Sequence, residues 1–368
     1  MSLSSAFRPV SFEDLAGWTE DDHGPAFEAF RRSAFRVVEK PYRTGGLGID
    51  CGSFSQAHSE ARAVPDLDSA AARVFFERHF TPCLVDPSNG SAKGFVTGFY
   101  EPEVDASATK TDVYRFPLYH RPDDLVDIDE ENRPAELDPY LVFGRSTEAG
   151  IAEYPDRGEI ERGALAGRGL ELAWLRDPVD VFFIHVQGAA RLRMPDGAVR
   201  RVTYAAKSGQ RFTGPGRLLA DLGEIPLEDV TMQSIRAWFR THPDRIDEIL
   251  RQNRSFIFFR EAPVDDAALG PVAAAKVPLT PGRSMAVDRL LYTFGTPFFI
   301  DAPDVSAFEG RPFRRLMIAQ DTGSAIVGAA RGDLFAGSGD AAGEVAGVIR
   351  NPADFYALVP KSLVSRVR

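Results

Sequence analysis

The stretch IAQDTGSAIVGAARGDLFAGSG, Ile318 to Gly339, decides how this chain is read. Asp321-Thr322-Gly323-Ser324 spells the signature of aspartic proteases, and a second acid, Asp333, follows twelve positions later. A protease of that kind needs two carboxylates about 3 Å apart sharing one proton, because like charges that close do not both ionise. A single chain would supply them from two lobes, each with its own Asp-Thr-Gly or Asp-Ser-Gly. Here the tripeptide occurs once, and Asp156-Arg157-Gly158 is no substitute. Gln320 is also polar where the protease motif carries an apolar residue. The protease reading fails. Small residues after Asp321 suit a tight turn whose backbone N–H groups the carboxylate can accept. Glycines after Asp333 let backbone approach a bulky ligand, since no Cβ stands in the way.

At 368 residues the chain has room for one large domain or two ordinary ones. Its net charge of −10 argues against nucleic acid or an anionic membrane surface as the main partner. Charge runs such as Asp127 to Glu131 read as solvated loop. Cys51 and Cys83 lack CxxC or histidine spacing, so no zinc site is expected. They leave two readings open: one disulfide in an exported protein, or two buried thiols in a retained one. No apolar run reaches about 18 residues, the length expected of a membrane span. The opening MSLSSAFRPVSF has neither a basic nor an apolar leader region, so the chain either stays in the cytoplasm or is exported by a signal absent from this sequence.

The first third reads as helical. Glu13 to Val38 carries spaced apolar residues broken by Gly24-Pro25. A second helix is expected from Asp68, as N-cap, to Phe80, with Pro82 past its end. Lys93 to Tyr100 has strand character, and Asp180 to Gly188 is apolar enough for a strand buried on both faces. His185 inside it reads as a core histidine. A hairpin follows, Arg191 to Met194, turning at Pro195-Asp196-Gly197 and returning from Val199 to Tyr204. Its arginines alternate with apolar residues, which predicts one buried and one wet face. Thr231 caps a helix through Met232, Ile235, Trp238 and Phe239, and Pro243 opens another that Asn253 closes. Beyond Glu261 the chain is β-rich. The Pro- and Ala-rich passage Ala262 to Gly270 and the Glu101-Pro102 turn suit domain crossings, which makes the middle an insertion.

Leu316 to Gly347 resembles the three-aspartate region of the membrane-bound lytic murein transglycosylase A family. The match runs through Gln320-Asp321-Thr322-Gly323, Ala325-Ile326, Gly328, Asp333, Gly337, Gly339, Ala342-Gly343 and Ala346-Gly347, with Asp288 in Ser284 to Arg289 as the third aspartate. Ordered matches extend along most of the chain. They are Thr97-Gly98-Phe99-Tyr100-Glu101-Pro102, Phe116-Pro117-Leu118-Tyr119, His185-Val186-Gln187-Gly188, Tyr204 to Gly209 and Met232 to Trp238.

The resemblance implies a mainly β fold with helices: a double-ψ β-barrel domain with N-terminal helices from residues 1–103 and 263–368, and an inserted β-rich substrate-binding domain, residues 104–262. A groove between them would take the glycan strands of peptidoglycan. The implied reaction cleaves the MurNAc–GlcNAc β-1,4 bond without water and leaves a 1,6-anhydro end. Asp333 aligns as the sole acid and then base, supported by Asp321 and Asp288, the latter with Arg289 as an alternative partner. Substrate contacts are expected from Thr97, Tyr100, Gln187, Tyr204, Lys207, Gly337 and Gly339. The arginines from Arg191 to Arg217 are either a docking surface for stem-peptide carboxylates or solvated strand faces. Two other classes stand beside this reading: a hydrolytic muramidase, needing a second acid to activate water, and a noncatalytic glycan-binding protein. No cofactor or metal is implied. A monomer is expected, acting in the periplasm, with outer-membrane association and cell-wall enzyme complexes as extensions.

Overall fold

The computed structural model describes residues 3–87 and 90–365, so Met1 and Ser2 of the opening stretch lie outside it. Two compact units emerge. One joins Met1–Tyr100 to Asp266–Arg368, and the other is Glu101–Asp265.

The first unit is built on eight strands. These are β1 (Phe7–Pro9), β2 (Phe80–Val85), β3 (Gly94–Glu101), β4 (Ser284–Val287), β5 (Pro297–Ala302), β6 (Phe313–Asp321), β7 (Arg331–Ser338) and β8 (Arg350–Pro360). Their order is β1-β2-β8-β5-β6-β4-β7-β3, and β8 also pairs with β3, so six strands close into a ring. Parallel pairing of β4 with β6 sits beside antiparallel pairing of β4 with β7. The core is filled by Val96, Met285, Val287, Phe298, Ile318, Leu334 and Phe355, with Phe27, Phe30, Phe75 and Phe76 from the helices. Alternation along each strand sends every second residue to the other face. On that other face a smaller cluster forms from Phe99, Leu279, Ala286, Ile326 and Phe335.

Three helices, His23–Glu39, Ser55–Ala63 and Ser69–His79, pack within this unit. Gly24-Pro25 does not break the first of them. Asp22 caps it by accepting from the Gly24 N–H, and Pro25 falls in the first turn, where an N–H has no intrahelical partner to lose. Asp68 caps the third helix through the Ala71 N–H at 2.8 Å. Pro82 lies inside β2, opposite Leu358, rather than past a helix end. The buried residue Gln320 ties the first helix to the ring. Its amide donates to the Ala29 carbonyl at 2.7 Å and to Ser33 at 2.9 Å, and it accepts from Ser284.

The second unit holds a six-stranded sheet, ordered Ile257–Ala262, Val199–Lys207, Ala189–Arg193, Glu103–Ser107, Glu171–Leu175, Phe116–Tyr119, and a separate three-stranded one. The Arg191–Met194 hairpin forms as expected, with Arg191 opposite Arg201. Asp180 to Gly188 does not form a strand. Pro178–Gln187 is a helix, with Asp177 accepting from Val179 at its start and Gly188 in the left-handed conformation at its end. It is apolar because it is buried almost all round. His185 is buried in it, beside Arg157 and Phe256. Thr231 caps the Met232–Thr241 helix in a reciprocal box with Ser234.

The hairpin arginines are not uniformly wet. Glu101, fully buried, accepts from Arg191 Nε at 2.9 Å and Arg201 Nε at 2.6 Å, and both arginines are buried with it. Arg193 stays at the surface and pairs with Glu103 and Asp105. Cys83 is buried and Cys51 partly so, and both are free thiols. Burial pushes the Cys83 thiol up to about 12.

Candidate active site

Three strands assemble the acids. Ala286 on β4 lies opposite Asp321 of β6 on one side and Asp333 of β7 on the other. Residues in register on neighbouring strands project to the same face, so both carboxyls stand beside the Ala286 methyl. Two strand spacings put their backbones about 10 Å apart. A bulge makes this arrangement. Met285 pairs with Ala319 and Ala286 with Asp321, which leaves Gln320 as the extra residue and re-aims Asp321.

Asp333 is partly buried. Thr97 of β3 donates its hydroxyl to Oδ1 of Asp333 at 2.5 Å, and Arg331 Nη2 donates to the Thr97 oxygen at 2.8 Å. Burial raises the Asp333 carboxyl above the ordinary range, while the Arg331 charge and the Thr97 bond pull it back. The neighbours Gly332 and Leu334 face the core. A Cβ at Gly332 would stand 3.0 Å from the Phe355 ring.

Asp321 is raised to about 6, chiefly by burial, and the Asp333 charge adds to the rise. Its Oδ1 accepts from the Ala274 N–H at 3.2 Å, so this carboxyl also holds the turn before β4. Asp288 serves backbone alone among the contacts seen. It accepts from the Leu290 N–H at 3.0 Å and the Gly328 N–H at 2.9 Å. Those bonds tie the loop after β4 to the loop before β7, and Arg289 points to solvent.

The expected substrate contacts divide. Thr97 spends its hydroxyl on Asp333. Tyr100 is buried, and a Cβ on Gly343 would meet its ring at 2.9 Å, so the ring packs on the Asp340–Ala346 helix. Gly337 and Gly339 both hold positive φ, 121° and 82°, which glycine adopts without strain. Gly339 starts that short helix, hidden in what reads as a glycine-rich loop. In the second unit Tyr204 is exposed, Gln187 ends the Pro178–Gln187 helix, and the Lys207 ammonium lies 5.7 Å from the Tyr140 ring. Arg331 is the participant that sequence reasoning missed, although it lies two residues from Asp333. No group of acidic, histidine or cysteine side chains able to hold a metal occurs among the described residues.

A strand ring with a second β-rich unit inserted has close counterparts among known proteins. Residues 95–260 match the MltA specific insert domain, and residues 283–359 match the 3D domain. The crystal structure of a membrane-bound lytic murein transglycosylase from Agrobacterium tumefaciens is 52% identical with a TM-score of 0.93, covering 99% of this chain and 100% of that one. MltA from Neisseria gonorrhoeae is 34% identical with a TM-score of 0.78, covering 96% and 92%. The chain belongs to the membrane-bound lytic murein transglycosylase A family. The Escherichia coli K12 member is 33% identical over 257 residues, which span 68% of this chain and 61% of that relative's length.

Proposed function

We propose that this chain is a lytic transglycosylase of peptidoglycan, with Asp333 as its single acid and base. Asp333 in its protonated form gives its proton to the glycosidic oxygen as the C1–O4 bond breaks. The muramyl C6 hydroxyl then forms the new bond to C1, and its proton passes to the Asp333 carboxylate. The acid is regenerated, and no water is consumed. An ordinary glycosidase divides these tasks between two carboxyls. The observation that carries the assignment is the environment of Asp333: a carboxyl raised by burial, whose Oδ1 is held by Thr97. Asp321, by contrast, is committed to the Ala274 backbone.

The six-stranded ring supports a double-ψ β-barrel reading of the first unit. We assign glycan contacts to Gln187, Tyr204 and Lys207 of the insert and to the Gly337–Gly339 backbone. The family's membrane-bound relatives support a periplasmic, outer-membrane-associated role; among the described residues no helix is long and apolar enough to cross a membrane. The test is Asp333→Asn. It should lower turnover of isolated sacculi by roughly 10²-fold or more while the protein still co-sediments with them. Near-normal turnover would transfer the role to Asp321.

A further inference from the structure

Arg331 takes no part in the steps above, yet it is held in place from three sides. Its Nη2 donates to Thr97 Oγ1 at 2.8 Å, its Nη1 donates to the Gly332 carbonyl, and its guanidinium carbon lies 5.5 Å from the centre of the Phe95 ring. A guanidinium carries donors only. The Thr97 oxygen must therefore accept from Arg331, and the hydroxyl proton is left to point at Asp333. The Thr97 oxygen stands 2.5 Å from Oδ1. An oxygen already receiving that hydrogen bond is the poorer place for the acid's own proton.

We propose that Arg331 is a positioning residue: acting through Thr97, it reserves Oδ1 of Asp333 as an acceptor, so that the mobile proton is carried on Oδ2 and delivered from there. This deepens the reading of Asp333 as the proton donor and rests on it. Arg331 also acts by charge. The groups that face Asp333 are Arg331 on its own strand, Thr97 from β3 and Asp321 from β6, with Lys276 beside Asp321. Burial favours the neutral acid, and Arg331 and Thr97 favour the carboxylate. The acid must be protonated at the start of each turnover, so activity falls as pH rises through its titration. Weakening the Arg331–Thr97 pair moves that fall to higher pH.

Three variants separate charge from orientation. Arg331→Leu removes both and should move the high-pH fall of kcat upward. Arg331→Lys keeps the charge without the fork, so the fall moves less than in Arg331→Leu while kcat drops about tenfold at unchanged KM. Thr97→Val should lower kcat about a hundredfold, and Thr97→Ser should restore most of it. An independent readout is the titration of Asp333 by carbon NMR in aspartate-labelled protein, its signal identified by loss in Asp333→Asn. It should rise in Arg331→Leu and Thr97→Val and return in Thr97→Ser. If the Asp333 titration is the same in all variants, or if Thr97→Ser fails to rescue, the relay is wrong. If the titration moves as stated but the unaltered protein releases nothing from sacculi, the relay stands and the assigned activity falls. Thermal unfolding of each variant shows that the comparison is between folded proteins.

Discussion

Asp321 and Asp333 are both in register with Ala286, one from the parallel side of β4 and one from the antiparallel side. This register puts two acids on one face, away from the main core, with the small alanine between them. The consequence is electrostatic. The Asp333 charge opposes ionisation of Asp321, which burial already raises, so Asp321 keeps its proton to a higher pH than an ordinary carboxyl.

Asp321 makes stability depend on pH in a direction opposite to that of a salt-bridged acid. Its carboxyl is raised from 3.8 to about 6. Between those values the folded protein keeps a proton that the unfolded chain releases, so stability falls as pH rises. The contribution is complete below the lower value and lost above the upper one. It amounts to roughly 3 kcal/mol. Asp321→Asn retains an acceptor for the Ala274 N–H and cannot ionise, so it should be more stable than the parent at neutral pH and about equal in acid. Urea unfolding at both ends of the window checks this; parallel stability curves for the two proteins would contradict it.

Asp288 is predicted to be a structural acid. Asp288→Ala leaves the Leu290 and Gly328 N–H groups without their acceptor, at a cost of roughly 1–3 kcal/mol. Turnover per folded molecule should survive at low temperature. Loss of turnover in a variant that is still fully folded would give Asp288 a part in the chemistry.

The buried triad of the insert should be costly to break. Glu101→Gln leaves Arg191 and Arg201 buried with their shared countercharge gone, which costs roughly 3–5 kcal/mol. Calorimetry should show lower thermal stability, and a fall of less than about 1 kcal/mol would mean that water reaches the arginines.

Gly98 has no room for a side chain. A Cβ there would stand 2.8 Å from the backbone of Ala346 and 2.9 Å from Ile349. Gly98→Ala should destabilise by roughly 1–3 kcal/mol and shift the adjacent Thr97, lowering kcat more than it changes KM. A variant with parent-like stability and kinetics would show that the Asp340–Ala346 helix can move aside.

What the sequence revealed follows the range of each interaction. Caps at Asp68 and Thr231 and the hairpin at Pro195-Asp196-Gly197 are local, and each forms as read. Pro178–Gln187 was misread because a segment buried almost all round shows little hydrophobic period. The cues that settle it are Asp177-Pro178 before it and Gly188 after it. Arg191 and Arg201 looked solvated because their partner, Glu101, lies 90 and 100 residues away. Asp321 and Asp333 were visible as candidates, but their common register at Ala286 depends on a bulge at Gln320 that no spacing announces. Arg331 was overlooked because its partner Thr97 arrives from another strand.

The most direct test is to digest purified sacculi with the protein and weigh the released muropeptides. One acid working with an internal hydroxyl predicts fragments ending in 1,6-anhydro-muramic acid, each lighter by one water than its reducing-end form. Reducing ends would contradict the account, since water would then be the nucleophile and a second carboxyl, with Asp321 first in line, would have to activate it.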